Sequence, residues 1–423
     1  MFAETIALIA ILILGFGVVS GRLERSIITP PMVFVAFGLL IYFTGVLHVE
    51  VENEVVRILS EITLVLILFA DAARINLRAL RKEYHMPIRL LAIGMPLTVI
   101  LGALVGRIFF PEFTWLELTI LAAILAPTDA ALGQVVVSSK QVPARVRQAL
   151  NVESGLNDGI AFPLVIILVA LAATKGEAGQ TNSELAQFAV MQVFLGPIVG
   201  ILVGFFGGRL VSFGINSGWM DGYFQRLAGL ALALLAFSVA EIVGGNGFIA
   251  AFVAGLTMGN TARASCSNLY HFMEAEGQLL NLLVFLIFGA VLVVPAMQSI
   301  DMMGIIYVII SLTLIRLIPT FISMIGMKLS NWTILFLGWF GPRGIATIIF
   351  ALLILETEEI TAHNMLFTVA IVTVLFSTFA HGITAYPGAN RYGAHAAEMA
   401  DDDMPEFEEV TEMPIRMGME LMD

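Results

Sequence analysis

Apolar residues run along this chain in long blocks. They do not follow the two-residue alternation of strands or the narrow stripe of a surface helix. A helix crossing about 30 Å of hydrocarbon needs roughly 20 predominantly apolar residues, and thirteen blocks approach that length. They lie near residues 2–20, 29–46, 54–71, 87–108, 114–137, 145–171, 184–212, 225–243, 246–263, 277–298, 303–327, 332–355 and 363–384. The pattern predicts an all-α polytopic membrane protein of about 13 transmembrane helices. Composition agrees: 59% of the 423 residues are hydrophobic and 13% charged, where a soluble domain carries roughly 25% charged residues.

Orientation follows from Lys and Arg in the connections, which collect on the cytoplasmic side. Connections after odd-numbered blocks carry Arg22, Arg25, Arg74, Arg78, Arg81, Lys82, Lys140, Arg145, Arg147, Arg209, Arg226, Arg263 and Lys328. Those after even-numbered blocks offer little beyond Arg107 and Lys175. The expected topology is multi-pass in the cell (plasma) membrane, N-terminus outside and C-terminus cytoplasmic. The first block lacks a basic leader and a small-residue cleavage site, so it reads as a retained span.

The net charge of -12 belongs mainly to one segment. Residues 385–423 hold ten Asp or Glu and two Arg, which accounts for -8 of it. That stretch is expected as an acidic cytoplasmic tail, disordered and solvated, with a docking tail as the other reading. Nothing in the charge balance calls for a nucleic-acid partner. The lone Cys266 excludes an internal disulfide and a Cys-based metal site.

Two prolines interrupt otherwise good spans, Pro127 in LAAILAPTDAALG and Pro342 in LGWFGPRGIAT, 215 residues apart. Adding 215 to the first six blocks lands near the last six. Seven spans separate each matched pair, an odd number, so the copies face opposite ways. The chain then divides into a transmembrane domain, 1–384, and the tail. Within that domain lie a first repeat of about 2–171, a linking helix 184–212 and a second repeat of about 225–384. Chance agreement among evenly spaced helices is the competing reading. The matched pair of interrupted helices favours the repeat, being the sequence pointer to a transporter's binding site.

Proline removes a backbone donor and clashes with the preceding turn, so spans 5 and 12 should break. Unwound backbone is tolerated at membrane depth only where protein or a cavity satisfies it, and half-helix ends carry partial charges that bind ions. Thr128 and Asp129 follow one break, and Arg343 the other. In LNVESGLNDGIAFP, Glu153 and Asn157 share one helical face and Ser154 and Asp158 the neighbouring one. Thirteen residues at 1.5 Å each put Asp158 about 20 Å along its span, near the midplane. Asp158, Ser154, Glu153, Thr128 and Asp129 form an all-oxygen set suited to a hard cation such as sodium. A structural ion pair between Arg343 and one carboxylate is the plainer alternative. Glu61 and Glu241 also fall inside spans and read as structural or funnel residues. No phosphate-cradling glycine loop or nucleophile elbow is present, so neither a nucleotide-driven pump nor an enzyme is expected. No cofactor is expected either, the ions being substrates.

The segments LAPTDAALG, VESGLNDGIAFP, GFIAAFVAGL and GWFGPRGIAT together make residues 5–385 resemble the sodium/proton antiporters of the cation/proton antiporter superfamily, NhaP-like branch. The resemblance implies a homodimer, a six-helix core holding two crossed broken helices (spans 5 and 12), and elevator-like alternating access. It implies Asp158 as the ion carrier, with Thr128, Ser154, Asp129 and Glu153 completing or surrounding a sodium site and Asn157 holding its geometry. Arg343 would pair with an acidic residue of span 6, namely Glu153. Asp71 would line an ion funnel.

A bare carboxylate at the midplane is costly, so a cation and a proton relieve the same penalty and compete. With Asn157 beside it, one carrier residue is the simpler count. The expectation is electroneutral exchange of one Na+ (Li+ also) for one H+, serving pH homeostasis. Potassium/proton exchange is the first alternative, since oxygen ligands suit both ions. A cation channel and a transport-dead sensor are the others.

Overall fold

The computed structural model describes residues 2–23, 26–45, 54–80, 85–173, 182–262, 267–355, 357, 360–399, 404–408 and 410. Arg25, Arg81, Lys82, Lys175, Arg263 and Cys266 lie outside them. Each of the thirteen apolar blocks corresponds to helix. The first three are α1 (Phe2–Leu23), α2 (Pro30–Thr44) and α3 (Glu54–Arg74). Then α4 (His85–Phe109) runs through a π turn at Leu90–Gly94. The fifth block is divided into α5a (Trp115–Ile124) and α5b (Gln134–Ser138). Next come α6 (Ala144–Ala173), α7 (Asn182–Asn216), α8 (Gly222–Ile242) and α9 (Gly247–Thr261). The tenth, α10, starts at Ser267, passes a π turn at Phe288–Leu292 and ends at Ser299. The rest are α11 (Met302–Ser323), α12a (Asn331–Trp339), α12b (Ile345–Leu355) and α13 (His363–Met399). Among the described residues, seven helices are individually long and apolar enough to cross a membrane, and five shorter apolar ones accompany them.

Helix starts follow the local code. Thr114 and Glu117 form a capping box at α5a, while Asp221, Asn246, Asp301 and Ser330 accept first-turn amides of α8, α9, α11 and α12a. Glu241 does the same for α9, accepting from the Gly247 amide at 2.7 Å.

The two repeats are visible in helix bounds and in packing. Adding 215 to α2 (30–44) gives 245–259, and α9 spans 247–261. The same shift takes α5a (115–124) to 330–339, and α12a spans 331–339. In one copy's second helix, a Cβ on Gly255 or Gly259 of α9 would lie 2.2 Å from the Phe69 carbonyl oxygen or 2.0 Å from that of Ala73, both on α3. In the other copy's second helix, a Cβ on Gly38 of α2 would lie the same 2.2 Å from the Leu286 carbonyl oxygen of α10. Each copy therefore packs its second helix, at glycine, on the backbone of the other copy's third.

Buried apolar residues separate into clusters with distinct membership. One joins α3, α7, α8 and α9 through Phe69, Leu232, Ala250 and Met258. Another joins one end of α4, α5b, α6, α12a and α13 through Leu90, Val136, Val146, Leu337 and Ala389, with Met324 from the end of α11. A central cluster runs between them and contains α5a and α12b.

At that second cluster's end, Arg89 of α4 donates to the Ser323 and Ile325 carbonyls at 3.2 and 2.6 Å. Arg145, at the start of α6, donates to the Pro405 carbonyl and pairs with Glu408 at 2.8 Å. The residues expected as a disordered tail from 385 are thus ordered in part. Helix α13 continues to Met399 because Ala385, Ala389, Tyr392 and Ala396 form a buried stripe. Glu406 is buried too, accepting from the Ser330 amide at 2.6 Å and the Thr333 hydroxyl at 2.9 Å.

Replacing Gly255 or Gly259 by Ala should force α3 and α9 apart and lower thermal stability in detergent, at a cost of about 1–3 kcal/mol for overpacking. Gly17→Ala, with nothing within 4 Å of the added methyl, should leave the melting temperature unchanged.

Candidate cation site

Helix α5a ends at Ile124 and α12a at Trp339, leaving non-helical chain around Pro127 and Pro342. Prolines without an N–H at these points free carbonyls and amides in an apolar interior, where an unsatisfied group is expensive. The two breaks satisfy each other. The Asp129 amide donates to the Pro342 carbonyl at 2.7 Å, and Thr347 of α12b donates its hydroxyl to the Ile124 carbonyl at 3.0 Å. The Arg343 amide donates to Ser377 Oγ of α13 at 2.6 Å.

Asp129 is central to this crossing. Its Oδ2 accepts from the Ile345 amide at 3.0 Å and its Oδ1 from the Ala131 amide at 2.7 Å. The carboxylate thereby caps α12b, at the end where the helix dipole is positive. A Cβ on Gly344 would lie 1.9 Å from Oδ2, so only glycine lets the carboxylate reach that amide. Asp129 was expected among the cation ligands, and its oxygens face backbone amides instead.

Beside the crossing, α6 presents the other expected residues. Ser154 Oγ lies 2.9 Å from Thr128 Oγ1, and Asn157 Nδ2 donates to Thr128 Oγ1 at 2.6 Å. Thr128, Ser154 and Asn157 are buried, whereas Asp158 is partly exposed. The Asn157 Oδ1 atom is buried with no hydrogen-bond partner. The structure thus brings Thr128, Ser154 and Asn157 together, with Asp158 one residue along the same helix. Two hydroxyls and an unpartnered amide oxygen there are hard donors of the kind an alkali cation takes.

The expected Glu153–Arg343 pair is not formed. Glu153 pairs with Arg316 of α11, Oε1 to Nη2 at 2.6 Å, with both side chains 3% exposed. The two groups meet at ion-pair distance but off the hydrogen-bonding line, since Arg316 Nη2 has no aligned acceptor. Arg343 instead turns its Nη1 to the Gly341 carbonyl within its own break and leaves Nε and Nη2 without hydrogen bonds. It feels both Arg316 and Glu153 electrostatically. The physical reason is proximity along the break: the Gly341 carbonyl, left free because the Ile345 amide goes to Asp129, takes the guanidinium, and Arg316 fills the place at Glu153. A Cβ on Gly341 would lie 2.7 Å from Arg316 Nε.

Arg316 is the buried charge beside the candidate site that sequence reading passed over. Its signal was present: a basic residue in the apolar run LIRLIPT meets the same criterion that singled out Arg343. Asp71 stands in the last turn of α3, partly exposed. The α3 terminus approaches α6 at Ile75, whose Cδ1 is 3.9 Å from where a Gly155 Cβ would sit.

Removing either member of the Arg316–Glu153 pair should destabilise by about 3–5 kcal/mol, because the other is left buried and uncompensated. Arg316→Met with Glu153→Gln should recover most of that loss. A thermal double-mutant cycle measures it, and simple additivity would deny the pairing.

Comparison with known proteins identifies the family. Residues 6–390 match the family model described as sodium/hydrogen exchanger, transmembrane. A K(+)/H(+) antiporter NhaP of Alkalimonas amylolytica is 28% identical over 369 residues, 85% of this chain and 62% of that protein. A Na(+)/H(+) antiporter 2 of Zygosaccharomyces rouxii is 25% identical over 350 residues, 78% of this chain and 43% of that protein. The chain therefore spans less than two thirds of the length of these relatives. The sodium proton antiporter MjNhaP1 of Methanocaldococcus jannaschii, solved at pH 8, shares the fold with a TM-score of 0.75 at 20% identity, over 93% of this chain and 98% of that one. With the model match covering nearly all of the helices, the chain belongs to the sodium/hydrogen exchanger family, a family of membrane transporters and not of enzymes.

Proposed function

We propose that this protein exchanges a monovalent cation, sodium and also lithium, for a proton, with Asp158 as the shared carrier. The observation that carries the reading is the juxtaposition at the crossing: Asp158 follows Asn157 on α6, beside the paired hydroxyls of Thr128 and Ser154. Of the neighbouring carboxylates, Asp129 caps α12b and Glu153 pairs with Arg316, so Asp158 is the one we assign to ion exchange. An ionised group is expensive at membrane depth. A bound cation or a bound proton removes the same charge, so the two compete for one group and only the loaded site crosses.

Thr128, Ser154 and Asn157 supply the neutral oxygens beside the carrier. In this reading Asp129 acts as the helix cap that fixes the crossing, and Glu153 as the partner that holds Arg316. Asn157 occupies the place of a possible second carboxylate, so the exchange is one for one and moves no net charge. A net charge would couple to voltage by about 2.3 kcal/mol per 100 mV.

A second reading keeps the site and changes the ion. The Alkalimonas relative is named a K(+)/H(+) antiporter, and all-oxygen ligands serve potassium as well. The topology we propose is a homodimer in the plasma membrane, with the end bearing Arg89, Arg145 and Glu406 in the cytoplasm. It is supported by the basic residues gathered there.

Reconstituted in liposomes with an internal pH dye, the protein should exchange protons when sodium or lithium is added and stay silent with choline. A potassium response above sodium would install the second reading, and channel-sized unitary currents would remove both. Asp158→Asn should abolish exchange while the protein still elutes as a folded species; sodium-dependent proton flux surviving in that variant would refute the carrier assignment.

Lowering the pH should raise the apparent KM for sodium with the maximal rate unchanged, because both loads compete for one group. A fall in maximal rate at constant KM would argue against a shared site.

A further inference from the structure

The segment GFIAAFVAGL of α9 has a pattern that antiport at Asp158 alone does not use. Its small residues let α9 lie close against α3 and α7: besides Gly255, a Cβ on Gly204 of α7 would come 2.4 Å from the Ala254 carbonyl oxygen. Two rings interrupt that pattern one turn apart, Phe248 and Phe252.

Phe252 is buried and lies on Gly159, the residue that follows Asp158. A Cβ there would stand 2.6 Å from both Cδ2 and Cε2 of the ring. The carrier helix lacks a side chain at the one position where the ring rests on it. Phe248 meets Phe162, one turn beyond Asp158 on α6, at 4.5 Å between centroids. Phe162 continues to Phe350 of α12b at 5.0 Å, and Phe248 to Phe237 of α8 at 5.2 Å. Phe248 packs against both the central cluster and the α3, α7, α8 and α9 cluster.

The two sides of Asp158 therefore differ. Beyond it along α6 stands a layer of rings from α6, α8, α9 and α12b. Before it, a Cβ at Gly155 would meet only Ile75 within 4 Å, and Asp158 itself is partly exposed.

We infer that Phe252 and Phe248 determine coupling: they close the flank of Asp158 distant from the start of α6, so that its carboxylate exchanges ions with one side at a time. This rests on Asp158 being the exchanging group. A carboxylate wetted from both sides would pass protons without a cation, and apolar rings deny water that second path. The contact is ring on backbone, with no hydrogen bond between the rings and α6, so it can part when the carrier moves relative to α9. Phe248 and Phe252 touch neither ion in this scheme. They act through Asp158.

The test uses the full-length protein in liposomes with an internal pH dye. The wild type is run alongside, and its sodium exchange reports on the function itself. In sodium-free choline buffer with the membrane potential clamped, Phe252→Ala and Phe248→Ala should collapse an imposed pH gradient about tenfold faster than wild type, the factor for each ~1.4 kcal/mol removed from a barrier. Phe252→Leu, which keeps an apolar side chain, should stay tight. Adding Asp158→Asn to Phe252→Ala should abolish the leak, since the leak uses that carboxylate. Gly159→Ala should slow exchange, and Phe252→Ala in the same chain should restore speed at the expense of tightness. Proton-tight Phe248→Ala and Phe252→Ala vesicles that still exchange sodium would overturn the proposal. So would a leak that survives Asp158→Asn. If Phe252→Ala does not fold, the variant at the partly buried Phe248 decides alone.

Discussion

The mutual capping of two broken helices is the constraint on which the rest of this structure depends. Prolines at 127 and 342 release backbone groups where water is scarce, and such groups must find partners. Each break finds them in the other: Asp129 takes the Ile345 amide, the Pro342 carbonyl takes the Asp129 amide, and Thr347 reaches the Ile124 carbonyl. Ser377 of α13 holds the Arg343 amide from the side. Because the stitching is reciprocal, neither half-helix can shift without stripping the other of a hydrogen bond. A rigid oxygen-lined crossing is the result, and Thr128 is placed by it next to α6.

The commitment of Asp129 to amides changes the electrostatics. Had it been a free ligand, two carboxylates would have faced the cation together with Glu153 nearby. Instead Asp129 answers the positive end of α12b, Glu153 answers Arg316, and Arg343 rests on the Gly341 carbonyl. Two guanidiniums in one buried neighbourhood repel, and they are tolerable because two carboxylates accompany them. Asp158 takes no part in these pairings and is partly exposed. In the proposed exchange, an ion reaching Asp158 would leave intact the hydrogen bonds that hold the helices.

Much of this was legible in the sequence, and what was not has physical causes. Span positions follow from hydropathy, and the breaks follow from Pro127 and Pro342, because both signals are local. The offset of 215 carries through to helix bounds such as α5a and α12a. Pairing was not legible, since Glu153 meets Arg316 across 163 residues of chain (316 less 153) and no local pattern encodes which cation arrives. Arg316 itself was readable as a basic residue in an apolar run. The continuation of α13 was hidden by averaging: acidic residues after 398 dominate the composition, while Ala385, Ala389, Tyr392 and Ala396 repeat at the three-to-four-residue spacing of a buried helical face. Glu406 looked like one more solvated acid, and only the folded chain shows that it completes the start of α12a.

Two kinds of packing divide the molecule mechanically. Where glycine brings a helix onto a neighbour's carbonyls, as at Gly255 and Gly259 on α3 or Gly38 on α10, the backbones interlock at van der Waals contact. Close-packed backbone has no soft coordinate, so these pairs move as units. Between α6 and α9 the contact is different in kind: a phenyl ring lies on Gly159 of α6, and rings can turn or slide without breaking a hydrogen bond. Stiffness within the packed pairs and a greased surface between them would suit the alternating exposure of a single carboxylate that we propose. The same glycine chemistry serves both, in one case by admitting a backbone and in the other by admitting a ring.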